Sequence, residues 1–180
     1  MKNTVLGAAV FETYGYAVEH MAPPPKQDEE ADEYARASTP VHFVAGAIGG
    51  SVHGIVGTLW ETAAGERTLR TLPKMTLHHS SAHAALFGSY EALKRLFLEN
   101  LGLDSRSYQG PAYLGSISIA GGVAGQVQHI VSHFSEQWLR LEETEATAVR
   151  TIRPPVMRNV LMAFPASAVA FVAFEYGRSP

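Results

Sequence analysis

The sequence predicts an all-α membrane protein: four transmembrane helices built as two helix-pair repeats, behind an extended N-terminal arm. Three observations carry that prediction. Four apolar stretches, 41–60, 77–98, 111–134 and 156–176, each approach the roughly 20 residues that a bilayer's hydrocarbon core requires. Three of the four exclude charge almost all round, where a helix of a soluble bundle would keep a polar face. Finally, the chain repeats itself. Gly46, Gly50 and Glu61 in the first stretch map at one constant offset onto Gly121, Gly125 and Glu136 in the third. Phe87-Gly88-Ser89-Tyr90-Glu91 and Phe171-Val172-Ala173-Phe174-Glu175 then share Phe-x-x-aromatic-Glu, each followed three residues on by a base, Lys94 or Arg178. The unit is a Gly-rich helix ending in Glu, a polar loop, and a helix ending in aromatic-Glu-x-x-base; tandem units of this kind signal an internally duplicated helical protein.

The elements follow in order. The arm, residues 1–39, opens with a short helix over 3–20 that sets Leu6, Val10, Tyr14 and Val18 on one face. It has neither the repeated arginines of an amphipathic presequence nor a secretory cleavage site, so it is expected to stay in the mature protein. Pro23-Pro24-Pro25 and the acidic run 28–33 read as a solvated linker, because prolines cannot continue the helix and the acids have little to bury. The transmembrane domain, residues 40–180, holds the repeats at about 41–98 and 111–178. Stretch 41–60 carries no Asp, Glu, Lys or Arg, and places Gly46, Gly50 and Gly54 four apart along one face where another backbone can approach. Stretch 77–98 is the most polar, with His78, His79, His83, Glu91, Lys94 and Arg95 in it. Stretch 111–134 is again free of charge and sets Gly121 and Gly125 four apart; stretch 156–176 has only Arg158 and Glu175 near its ends. Trp60, Trp138, Tyr90, Tyr113 and Tyr176 fall near helix ends, where amphipathic rings favour a membrane interface. Arg67, Arg70 and Lys74 in the first loop, with Arg140, Arg150 and Arg153 in the second, put both loops on the inner side and the arm with the C-terminus on the outer.

Composition narrows the function classes. A net charge of −3 with no basic cluster argues against nucleic acid. Absence of cysteine removes disulfides, thiolate catalysis and Cys-ligated metal centres. Charged residues make up only 17%, below the usual quarter, which suits spans more than a soluble domain. Gly49-Gly50 and Gly121-Gly122 lack the flanks of a phosphate-binding loop, and there is no Gly-x-Ser-x-Gly elbow, so no enzyme site is expected. Of the eight histidines, His79 and His83 have the i, i+4 spacing that can share zinc, but the sequence offers no third ligand beside them and no metal site is expected. The pairs Glu61/Glu136 and Glu91/Glu175 lie at helix ends, where a structural role outranks proton carriage.

The repeated motifs resemble those of the mitochondrial carrier family, whose members usually have three repeats of two transmembrane helices. In that family even-numbered helices end in aromatic-acid-x-x-base, a pattern complete here in Tyr90-Glu91-Ala92-Leu93-Lys94 and Phe174-Glu175-Tyr176-Gly177-Arg178. Odd-numbered helices end in Pro-x-acid-x-x-base. Leu59-Trp60-Glu61-Thr62-Ala63-Ala64 and Phe134-Ser135-Glu136-Gln137-Trp138-Leu139 keep the acid and lose the proline and the base. Phe164-Pro165-Ala166-Ser167 also looks like an even-numbered carrier helix.

The resemblance covers about 41–178 and implies a multi-pass protein of the mitochondrial inner membrane. The departures imply lost transport. With Ala64 and Leu139 at the basic positions the inner-gate ion pairs cannot form, the loops are too short for the usual matrix helix, and a third repeat is missing. The expected function is therefore a structural accessory subunit of a respiratory-chain complex or the ATP synthase, partnered by other subunits of that assembly and by membrane lipid. No cofactor is expected, with structural phospholipid such as cardiolipin as the small molecule a lipid-facing surface would hold. Two alternatives stand beside it: a solute transporter that completes its barrel by oligomerising, and a four-span subunit of the protein-translocase family, which also has Gly-rich spans.

Overall fold

Proline and glycine set where the helices begin and end. The computed structural model describes residues 2–24, 36–102, 110–141 and 152–178. Helix α1 spans Lys2–Met21. Extended Ser38 hands over to Thr39-Pro40, where a missing N–H costs nothing in the first turn, and α2 runs Thr39–Ala63. Gly65, at φ 75°, turns the chain after α2, and a short 3₁₀ turn at Leu69–Thr71 leads into α3, Leu72–Leu101. That helix stops on Gly102 at φ 60°, a left-handed conformation that a side chain would resist, with its N–H returned to the carbonyls of Leu98 and Glu99. Pro111 opens α4, Pro111–Leu141, and α5 covers Met157–Arg178 with Pro165 inside it. Among the described residues the fold is all-helical, with five α-helices and no strand.

The helices form an open arc in chain order. α1 packs on α2, α2 on α3, α3 on α4 and α4 on α5, while α1 and α5 do not pack along one another among the described residues. Each neighbour runs antiparallel to the last. Leu6 reaches Gly57, whereas Val10 and Tyr14 reach Gly49 further toward the start of α2. One end of the arc thus collects the C-termini of α1, α3 and α5, and the other the C-termini of α2 and α4.

The arm divides at its linker. Pro25 and the acidic run 28–33 lie outside the described residues, but the helix before them belongs to the core. Leu6, Val10, Tyr14, Ala17 and Val18 of α1 are all buried, and Val10, Tyr14, Ala17 and Val18 join Ala45, Phe87, Tyr90, Ile117 and Phe171 in one apolar cluster. An amphipathic helix of 20 residues, about 30 Å long, has one stripe to bury, and Gly49 and Gly57 of α2 with Phe87 of α3 supply surface for it.

Two helices, α2 and α5, are long and apolar enough to cross a membrane by length and composition. The other two expected spans fall short because of polar residues: three histidines, Glu91, Lys94 and Arg95 on α3, and Gln126, Gln128, His129 and His133 on α4. Several of these polar groups point inward. His42, His83, Glu91, Lys94 and Glu175 are buried, while Phe43, Ile48, Leu59, Leu77, Leu161, Met162 and Val169 are exposed.

Candidate functional site

Between α2 and α3 the glycines bring backbone against backbone. A Cβ at Gly46 would fall 2.5 Å from the carbonyl oxygen of His83, one at Gly50 on the carbonyl oxygen of His79, and one at Gly54 2.6 Å from Cα of Thr76. Spacing by four residues thus continues as a seam of direct contact, each glycine one turn further along α3. Gly121 and Gly125 do the same between α4 and α5, but against side chains: Phe171 Cβ lies 2.8 Å from the Gly121 position, and Ser167 fills the space beside Gly125. Gly122, between them, lies under the ring of Phe164.

The end of the arc that gathers the C-termini of α1, α3 and α5 is closed by rings. Phe87 and Phe171 occupy one step of the repeated Phe-x-x-aromatic pattern, and α1 supplies a third instance in Phe11-Glu12-Thr13-Tyr14. The three phenylalanines form an edge-to-face triangle, with centroids 5.3 Å (Phe11–Phe87), 5.9 Å (Phe87–Phe171) and 6.1 Å (Phe11–Phe171) apart. The aromatic three residues after each one then packs on the next phenylalanine round the triangle. Tyr14 stacks on Phe87 at 3.8 Å, Tyr90 on Phe171 at 3.8 Å, and Phe174 leans on Phe11 at 5.0 Å. The pattern is cyclic. Through Phe11 and Tyr14, α1 thus joins the rings of α3 and α5, where residues 1–39 are expected from the sequence to stand apart as an arm. The signal was the Phe-x-x-Tyr spacing in 11–14, masked because Gly15 and Val18 replace the acid and the base.

Below the rings lies a buried ionic group. Lys94 donates to Glu175 at 2.8 Å, and the Tyr90 hydroxyl donates to the same carboxylate oxygen at 2.7 Å. Glu91 is held by Arg95 at 2.9 Å and lies 3.4 Å from Lys94. His42 extends the group toward α1: its Nδ1 lies 2.6 Å from the Tyr14 hydroxyl and its Nε2 3.9 Å from Glu91. Arg95 also donates to the carbonyl of Ala37, so the chain entering α2 is tied to α3. Lys94 of α3 thus serves the acid of α5 and Arg95 the acid of its own helix, pairing that a charge so far from water requires. Of the signature residues, Tyr90, Glu91, Lys94, Phe174 and Glu175 meet at this end; the side chain of Arg178 lies outside the described residues.

The opposite end is open and polar. Glu61 pairs with Arg67 of its own loop at 2.5 Å. Glu136 instead lines a cavity of about 320 Å³ with Arg67, Thr71, Lys74, Met75, His78, His79 and Leu139. His78 bridges to α4 through Ser135 at 2.8 Å and Ser132 at 3.3 Å. The two acids of the Gly-rich helices are therefore brought to one end. Beside the cavity, His53 of α2 stacks on His79, with centroids 4.1 Å apart, and lies 5.1 Å from His83. His53 is the residue that sequence spacing could not find, because it sits on another helix. Comparison with protein-family models, curated proteins and solved structures finds no match to this chain.

Proposed function

We propose that the chain is a structural, non-transporting subunit of a mitochondrial inner-membrane assembly, a respiratory-chain complex or the ATP synthase, built on carrier-like helix pairs and spanning the bilayer with α2, α3, α4 and α5, with α1 packed along α2 through the same layer. Membrane placement is supported by the inverted distribution of polarity, since charged groups are paired inside and large apolar side chains face out on α2 and α5. A structural role rests on one observation above others: α1 and α5 meet through the rings of Phe11, Tyr14, Phe171 and Phe174 but do not pack along one another among the described residues, so no wall of helices runs between them. A carrier needs a closed wall around its central site and gates at both ends. Here one end is filled by stacked rings and Lys94–Glu175, and at the other Glu61 is spent on its own loop. Met157, Leu161 and Val169 of α5 are exposed and are left for lipid or for neighbouring subunits.

Native-gel separation of inner membranes in mild detergent should place the protein with a large complex, and the purified chain in liposomes should show no solute uptake. Saturable uptake by the purified protein would sink this reading. A transporter that closes by oligomerising is the second reading, favoured by the polar cavity that Lys74 lines together with His78 and Glu136. Uptake that appears with oligomerisation, and is lost on replacing Lys74, would select it.

A further inference from the structure

The glycine seam has a second product. By removing side chains at Gly50 and Gly54 it lets α2 lie against α3 at backbone distance, and His53 sits between those two glycines. On α3, His79 and His83 stand one turn apart, the spacing that presents two imidazoles on one helical face. The candidate ligand nitrogens of His53, His79 and His83 all lie within 4.8 Å of one another. His83 is further fixed by main chain: its Nδ1 is 2.9 Å from the backbone carbonyl of His79, so it carries the proton there and leaves Nε2 as the lone-pair donor. A hydrogen bond from the second ring nitrogen to a carbonyl is the usual support of a metal-ligating histidine.

We propose that His53, His79 and His83 form a three-histidine site for a divalent late first-row transition metal, with Zn²⁺ as the expected ion, that staples α2 to α3. Three neutral imidazoles without carboxylate select this class over Mg²⁺ or Ca²⁺, which require oxygen ligands. Zn–N bonds of about 2.0–2.1 Å in a tetrahedron set the nitrogens about 3.3 Å apart, so metal binding requires the stacked His53 and His79 rings to turn about their side-chain torsions until both lone pairs meet one ion. Three protein ligands leave a fourth position, and the cavity that His79 lines gives both water and an entry path for the ion. Arg67, one of the two bases on that cavity, is matched by Glu61 at 2.5 Å, and Glu136 adds a negative charge to the same wall. The inference needs only α2 and α3, and stands whether or not the chain belongs to a respiratory assembly.

The test uses the full-length chain, purified in detergent without a histidine tag and stripped with chelator. Titration with zinc against a chromophoric competitor should give one ion per chain, and Co²⁺ in its place should give the intense visible bands of a tetrahedral site. His53→Gln, which leaves the carbonyl-bonded His83 alone, should weaken binding by at least about tenfold, a loss that outer-shell partners alone can cause. His78→Gln, a cavity residue outside the triad, should bind as the parent does. Helix content by circular dichroism must match the parent in both variants; if His53→Gln misfolds, His79→Gln takes its place. Parent-like zinc affinity in a folded His53, His79 double variant, or less than one ion per parent chain, would overturn the proposal.

Discussion

Lys94 and Glu175 pair at 2.8 Å with their side chains almost wholly removed from solvent, so neither has water to fall back on if the other is lost. Breaking such a pair from one side strands a charge, whereas removing both charges costs far less. Glu175 also accepts from Tyr90, so a glutamine there can keep one hydrogen bond while giving up the charge. Lys94→Met should therefore lower unfolding stability in detergent by about 3 kcal/mol, and adding Glu175→Gln should recover most of it. Equal stability of the single variant and the parent would mean the pair is held by lattice-like packing of the rings and not by charge. His42 is the neighbouring instance of the same rule. It is fully buried, and it links Tyr14 of α1 to the Glu91–Arg95 pair, so a polar residue on a Gly-rich span becomes intelligible as the bridge between two helices.

At the scale of single elements, glycines divide by what stands opposite them. Gly50 faces the backbone of His79 and Ser80, which cannot move aside, while nothing lies within 4 Å of a Cβ at Gly7 or Gly115. Gly50→Ala should destabilise by about 1–3 kcal/mol through overpacking. Gly7→Ala should instead stabilise by roughly 0.5–1 kcal/mol, since glycine inside a helix loses more chain entropy than alanine. Thermal unfolding of both variants checks the pair; the same sign for both would break the seam argument. The seam was legible in the sequence because a period of four is a local property. So was the apolar face of α1, from Leu6, Val10, Tyr14 and Val18. What covers that face was not, because the run of prolines and acids after it reads as a boundary and α2 shows no matching stripe. His53 was hidden for the same reason, as its partners lie on a different helix. The inward polarity of α3 was legible only in part: polar residues near the ends of stretch 77–98 are expected to snorkel or to contact protein, but which of them turn inward depends on helices distant in sequence, and His83, Glu91 and Lys94 do.

For the molecule as a whole, the arc changes where the chain's ends fall. Two helix pairs with a separate arm would put the whole arm at the C-terminal end of α5. With α1 antiparallel to α2 and packed along it, the start of the chain lies instead at the end of α2 marked by Gly57, next to the loop that contains Gly65. Ser38, at the start of α2, and Gly177, at the end of α5, remain together at the ring-closed end. The Phe11, Phe87 and Phe171 triangle makes this arrangement hard to alter, because α1 can leave only by unstacking Tyr14 from Phe87 and by opening contacts each worth about 0.5–1.5 kcal/mol beyond their buried area. Single cysteines at Thr4, Ser38, Gly65 and Gly177, each in the otherwise cysteine-free chain, give a direct reading in sealed inner-membrane vesicles with an impermeant thiol reagent. Ser38 and Gly177 should label from one side, and Thr4 and Gly65 from the other, with the sides exchanging when the vesicles are inverted. Thr4 labelling with Ser38 would put α1 on the membrane surface and leave four spans; labelling of all four from one side would remove the membrane-spanning reading itself.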